Sequence, residues 1–311
     1  MRNVRKRAAV LLLGLMLCML TGCGEVPPEN LRQDTPAGEE TLSALPEETA
    51  ARAQSATLYF RYGDTGVLKQ EERELTVLPN ESREKALVQA LLDGSQSGGS
   101  ALFPEGTEVL STKAVDDVIY VTFNEALYGR YPDESAADLD TDDAVLRRRL
   151  AMAALCAALT ESGEYQSVQV LVRAETDIGS SMRLRESYFL IDSDLPCDPL
   201  TRDDAYLPAP ALCARQALDA WKTRDWDSLT PWICGTQSDE EGLGASRILL
   251  AYETGEGCVS PDGQSAVVCL RLTLRDAAGS GESEIICSLP LRREGGVWKA
   301  DAGVLAGLMC P

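Results

Sequence analysis

The residues best placed to do chemistry in this chain of 311 residues are its carboxylates and thiols, because it holds 49 Asp and Glu, ten Cys and no His. Without imidazole there is no Ser-His or Cys-His nucleophile pair and no imidazole general base. Neither a Gly-x-Ser-x-Gly elbow nor a P-loop occurs. The run Asp138-Leu139-Asp140-Thr141-Asp142-Asp143 opens with the Asp-x-Asp-x-Asp of a calcium loop. It then places Asp143 where such a loop needs Gly and Arg149 where it needs its last acidic ligand. A solvated loop leading into a helix N-terminus explains the run better, so no metal, cofactor or catalytic residue is assigned. Trp221, Trp226, Trp232 and Trp298 are read as core rather than as a surface for stacking ligands.

The thiols divide into two groups. Cys23 stands in Leu20-Thr21-Gly22-Cys23, which follows Arg2, Arg5, Lys6, Arg7 and an uncharged apolar run from Ala8 to Leu20. That layout is a signal peptide with a lipobox, which makes Cys23 the acceptor of a lipid (diacylglyceryl, with palmitate as its marker) and residues 1–22 the cleaved part. A membrane-spanning anchor fits less well, since the run rises only about 20 Å against a hydrocarbon core of about 30 Å. With Cys18 lost in the cleaved signal, the eight cysteines left, Cys156, Cys197, Cys213, Cys234, Cys258, Cys269, Cys287 and Cys310, are even in number outside the membrane, which permits disulfides. No paired spacing stands out among them, so small buried hydrophobes are the favoured alternative. Cys-x-x-Cys, the usual zinc spacing, is missing.

The formal charge is −20, and loss of the four basic residues of the signal brings the mature chain to −24. Such a charge disfavours nucleic acid and works against close docking on anionic lipid. Membrane attachment is therefore expected through the acyl chains on Cys23, on the extracytoplasmic face of the cell membrane.

Positioning these residues requires a tether and two domains. Residues 23–56 hold the lipidated Cys, Pro27, Pro28, Pro36, Pro46 and seven carboxylates, and read as a flexible acidic tether. A break over 192–208, rich in Asp and Pro, reads as a linker between residues 57–191 and 209–311. In the first part, alternation predicts strands over 57–62 and 74–78, and Asn80 caps a helix carrying Leu87, Val88, Leu91 and Leu92 that Gly94 ends. Strands follow over 108–115 and 118–123, paired across Asp116-Asp117. A helix over 142–162 turns Leu146, Leu150, Leu155 and Leu159 to a core, and strands over 168–172 and 187–191 close the unit. The second part opens with a helix over 209–223 carrying Leu212, Leu218 and Trp221. A helix-turn segment with Trp226, Leu229, Trp232 and Ile233 follows, then strands over 267–274, 284–292 and 297–300, with 277–281 as a hairpin turn. The fold class is α+β: two small domains, each with helices packed on a mainly antiparallel sheet.

Leu58-Tyr59-Phe60, the helix from Glu84 to Gly94, the run from Phe103 to Leu110 and Ile119-Tyr120-Val121-Thr122-Phe123-Asn124 resemble, in order and spacing, the GerMN domain of sporulation and spore germination lipoproteins. The Leu-Leu-x-Gly followed by Pro-x-Gly-Thr-x-Val-Leu is the most specific part. The resemblance implies a module without catalytic residues, similar in fold to the ring-building motifs of sporulation channel proteins and working by protein-protein contact. This chain departs from the germination protein in holding one repeat rather than two, and in lacking an Asp-Gly turn over 173–186. The second part resembles cone-shaped, nuclear-transport-factor-like domains in Ala220-Trp221-Lys222 to Leu229 and in Arg292 to Asp301. That resemblance implies a pocket in some members and protein contact in others.

Two functional expectations follow. In the first, the chain is a non-catalytic envelope lipoprotein in sporulation or germination, whose partners are other envelope proteins or copies of itself. In the second, a pocket in the C-terminal domain binds or senses a ligand. A Trp-lined pocket would favour the second and a filled interior the first.

Overall fold

The computed structural model describes residues 51–135, 137–174, 180–235, 246–276 and 281–310. Cys23, the signal peptide and most of the expected tether lie outside the described residues, as does most of the 277–281 turn. Residues 50–311 form one compact unit.

The chain enters this unit earlier than 57. Strand β1 (Arg52–Arg61) pairs antiparallel with β2 (Leu68–Val77) in a separate two-stranded ladder. The expected alternation fails along β1, where Leu58, Tyr59, Phe60 and Arg61 are all buried, because elements cover the hairpin on both sides. Helix α1 (Arg83–Leu92) is capped by Ser82, whose hydroxyl accepts from the Lys85 amide at 3.1 Å, and not by Asn80, which sits at φ 66° in the preceding turn. Gly94, at φ 85°, follows the helix end as expected.

Strands β3 (Val109–Val115) and β4 (Val118–Asn124) form the expected hairpin, turning through Asp116 at φ 54°. Helix α2 (Asp142–Thr160) begins at Thr141, whose hydroxyl accepts from the Ala144 amide, with Asp142 and Asp143 in its first turn. Every residue from Leu150 to Leu159 is buried, so this helix is enclosed rather than amphipathic. Ala151, Ala153, Ala154, Ala157 and Ala158 let β1 and the sheet approach closely, and each fully buried Leu contributes roughly 1.5–3 kcal/mol. The helix returns the chain to β5 (Ser167–Arg173), which runs parallel to β4 in an otherwise antiparallel sheet.

The expected strand over 187–191 is instead a 3₁₀ turn over Glu186–Phe189, with Leu190 in the left-handed region at φ 58°. The sheet is closed by β6 (Met182–Arg183) and β7 (Leu200–Thr201), both on β5, giving the order β3-β4-β5 with two short edge pieces. The expected linker is therefore an arm of the first domain: β7 lies inside it, and Cys197, Leu200, Tyr206 and Leu207 pack against the first core. Its prolines and carboxylates mark an exposed edge strand and turns, not a free connection.

In the second part, helix α3 (Pro210–Thr223) and the short α4 (Trp226–Leu229) pack on a six-stranded sheet. Its strands are β8 (Ile233–Cys234), β9 (Arg247–Thr254), β10 (Cys258–Val259), β11 (Ser265–Asp276), β12 (Glu282–Glu294) and β13 (Val297–Asp301). β11 pairs with β12 on one side and with β9 and β10 on the other. Helix α5 (Ala302–Met309), capped by Asp301, ends the chain against the core. Trp221, Trp232 and Trp298 are buried among Leu218, Leu270, Leu289 and Leu305, so the inner face of the sheet is filled around them.

The two cores meet at the β1–β2 hairpin. Val67 at its tip is buried in the second core, Tyr62 stacks edge-on against Trp232 at 5.1 Å, and its hydroxyl donates to the Pro231 carbonyl at 2.8 Å. The Gln70 amide donates to the Gly296 carbonyl at 2.9 Å, and Arg293 donates to the Gln70 side chain. Among the described residues no helix is long and apolar enough to cross a membrane.

Candidate binding cleft

The Asp-rich run that opens like a calcium loop is divided among separate tasks. The Asp138 carboxylate accepts from the Ser135 amide at 2.7 Å, and Asp143 accepts from Arg61 at 2.5 Å and faces Arg147 at 3.2 Å. Arg147 reaches on to Asp133 through two N–H···O bonds of 2.7 and 2.6 Å. Among the described residues no group of three potential metal-binding side chains occurs.

Beside it lies a more buried pair. Arg148 donates to Glu134 through two bonds of 2.8 and 2.9 Å, and the two side chains are only 5% and 2% exposed. Arg148 also donates to the Ala144 carbonyl and lies over the Tyr131 ring at 5.4 Å. The Arg148 hydrogen bonds hold Glu134 below the ordinary carboxylate range, and those of Arg147 hold Asp133 at about 2. Burial drives Tyr131 up to about 12 and Tyr188 well above its usual value. These groups fasten the start of α2 to the segment before it.

The cleft itself, of about 750 Å³, opens between α2 and the arm over 182–206. Met152, Ala153 and Cys156 from α2 meet Phe189, Leu200 and Tyr206 from the arm to make its apolar lining. Of its charged residues, Arg202 is committed to Glu161 at 2.7 Å and Asp204 at 3.1 Å, and covers the Tyr59 ring. Tyr59 donates to Glu161 and is pushed up to about 12, first by burial and then by that carboxylate. Arg149 is exposed and has no ion-pair partner among the described residues. Burial raises Cys156 to about 12 and also raises Cys197, so neither thiol is activated. Every resolved shift around the cleft moves a group away from neutral pH.

Cys156, Cys197, Cys213, Cys234, Cys258, Cys269 and Cys287 are free thiols. Sequence reasoning placed no site residue in this cleft. Its walls come from segments some thirty or more positions apart, so no local pattern marks them.

Residues 57–176 match the family model Germane, described as sporulation and spore germination. A solved structure from Clostridium perfringens described as a lipoprotein is similar, with 20% identity, 51% of this chain and 92% of that chain covered, and a TM-score of 0.27. The tandem GerMN domains of the sporulation protein GerM from Bacillus subtilis are similar at 16% identity, with 52% of this chain and 49% of that chain covered and a TM-score of 0.30. No curated protein matches the chain. The cleft's α2 wall falls inside the stretch of residues 57–176 that matches the Germane model of sporulation and spore germination, and its arm wall lies beyond it.

Proposed function

We propose that the protein is an envelope lipoprotein of sporulation or spore germination, held by lipid on Cys23 at the extracytoplasmic face and acting by protein-protein contact. The Germane match over residues 57–176 carries this reading. The filled second core supports it as well, since Trp221, Trp232 and Trp298 are spent on packing and none of them lines the cleft of the first domain. The alternative of a ligand sensor built on a Trp-lined pocket draws less support from the same observation.

The test is crosslinking of the full-length chain in sporulating cells with an amine-reactive reagent, compared with a Cys23→Ser variant. Capture of envelope proteins or of a second copy by the wild type, with loss from the membrane fraction in the variant, is the expected result. A chain that crosslinks to nothing and fractionates identically with and without Cys23 would overturn both the contact role and the anchor.

A further inference from the structure

The arm over 182–206 carries more acid than its own cations neutralise: it holds three Arg against six carboxylates. The charged lining of the cleft is Arg149 and Arg202 against Glu186, Asp198 and Asp203. Arg202 is already held by Glu161 and Asp204, and Arg185 lies 3.6 Å from Asp194. Arg183 comes no nearer than 4.0 Å to Asp198, whose side chain is 99% exposed. Among the described residues Glu186 and Asp203 have no ion-pair partner, and Asp203 serves only as a local turn acceptor for the Ala205 amide. One unpaired cation, Arg149, therefore stands in the cleft with three carboxylates, of which Asp198 alone has a cation within 4.0 Å. Glu186 and Asp198 converge on the same wall, since both add to burial in pushing up the Cys197 thiol.

Between these charges the lining is apolar, from Met152, Phe189, Leu200 and Tyr206, with Ile191 47% exposed beside them. Leu195, 65% exposed, extends the apolar surface of the arm. Exposed ion pairs contribute little one at a time, so a small cation would gain little at this rim and would leave the apolar lining wet. A polypeptide segment that joins several cations to apolar side chains satisfies both parts at once. The chain's own tether does not fit, because it brings seven carboxylates. A second copy of a mature chain at −24 is repelled as a whole. The arm wall lies beyond residues 57–176, so its acidity is a feature of this chain and not of the matched module.

We propose that the cleft takes a segment of a different envelope protein, one that carries Lys or Arg among apolar side chains. The proposal rests on the contact reading above and names the surface and the chemistry of the partner. Apolar side chains of the segment pack on Met152, Phe189, Leu200 and Tyr206, and its cations meet Glu186, Asp198 and Asp203. Arg149, on the α2 wall, donates to a carboxylate or main-chain carbonyl of the segment and so favours one chain direction.

The experiment uses the mature chain carrying Cys23→Ser and three fluorescein-labelled repeat peptides, Leu-Lys, Ser-Lys and Leu-Glu, followed by anisotropy from about 1 µM to about 200 µM protein. Salt is kept at about 0.15 M, where charges farther apart than about 8 Å are screened. Leu-Lys should bind at least about tenfold more tightly than either of the others. Glu186→Lys with Asp198→Lys should cost Leu-Lys about tenfold or more and should improve Leu-Glu binding by a similar factor, a selective gain that a misfolded chain does not give. Glu282→Lys with Glu294→Lys makes the same change of charge on exposed positions of β12 and should alter Leu-Lys binding less than about twofold. Equal losses in the two variants, or equal binding of Leu-Lys and Ser-Lys, would mean attraction to net charge alone and overturn the proposal. Self-association that the cleft variant abolishes would also overturn it, with a second copy as the occupant. If the peptides fail while crosslinking in cells captures the same envelope protein with the wild type and the cleft variant, the cleft falls and the contact reading stands; if nothing is captured either, both fall.

Discussion

Glu134→Gln removes the charge from the most enclosed ion pair among the described residues of the first domain while keeping its shape. In the folded protein Arg148 would keep its bond to the Ala144 carbonyl and its place over Tyr131, but would lose two charge-assisted bonds of 2.8 and 2.9 Å in a site where both side chains are at most 5% exposed. Breaking a buried pair from one side costs about 3–5 kcal/mol, and the partners left to Arg148 place this case near the lower end, about 3 kcal/mol. For a unit of this size that is a fall in Tm of about 6–12 °C. The pH dependence carries the same signature. Glu134 is held below its ordinary value in the folded state, so its contribution is full above the unfolded pKa of about 4.3 and is lost as pH falls through the lowered one. Thermal unfolding followed by circular dichroism from pH 7 to pH 3 should show a steep acid loss in the wild type and a flatter curve in the variant. Replacing both partners, Glu134→Leu with Arg148→Met, should return stability to within about 1 kcal/mol of wild type, because no charge is then stranded. A single-variant cost below about 1 kcal/mol, or equal acid slopes, would refute the claim that the pair is desolvated.

Gly296→Ala should be far more damaging than Gly295→Ala. Both have positive φ, but a Cβ at 296 would collide with the Gln70 carbonyl oxygen whereas one at 295 meets nothing within 4 Å; chemical denaturation should show about 1 kcal/mol for Gly295→Ala and at least about 3 kcal/mol for Gly296→Ala, and equal costs would contradict the junction. Among the thiols, iodoacetamide labelling of the native protein read by mass spectrometry should modify exposed Cys258 and Cys269 first and spare Cys156 and Cys213, which burial holds at about 12 and about 11; early modification of either buried thiol would show that its core opens.

The elements that were legible in the sequence are those whose signal is local. The β3–β4 hairpin, α2 and the β11–β12–β13 meander announce themselves through alternation, capping acids and turn residues. Strand β9 was missed for a physical reason: it bulges at Leu250, which has no partner between Thr273 and Leu274 of β11, so the inward residues Leu249 and Tyr252 stand three apart and break the period of two. The run Tyr188-Phe189-Leu190-Ile191 looked like a strand by composition, yet Leu190 takes a left-handed conformation and only Tyr188 is buried. β6 and β7 are two residues long and carry no pattern at all. Helix α5 holds two glycines, and its one clear sign was Asp301, which accepts from the Gly303 and Val304 amides. The cleft was beyond reach because it depends on the arm folding back along β5, which no property of residues 192–208 taken alone specifies.

The division into two domains has a similar limit. Composition placed a boundary at 192–208, where Pro and Asp accumulate, but accumulation of such residues reports exposure rather than separation. The segment that joins the two cores is instead the first hairpin, more than a hundred positions earlier, with Leu58 and Phe60 in one core and Val67 in the other. A strand buried on both faces has no polar alternation to reveal that it serves two layers. The hairpin also makes the junction specific: a backbone hydrogen bond from Gln70 to Gly296, a tyrosine hydroxyl on the Pro231 carbonyl and a glycine that admits no Cβ fix the two cores more narrowly than apolar contact alone would.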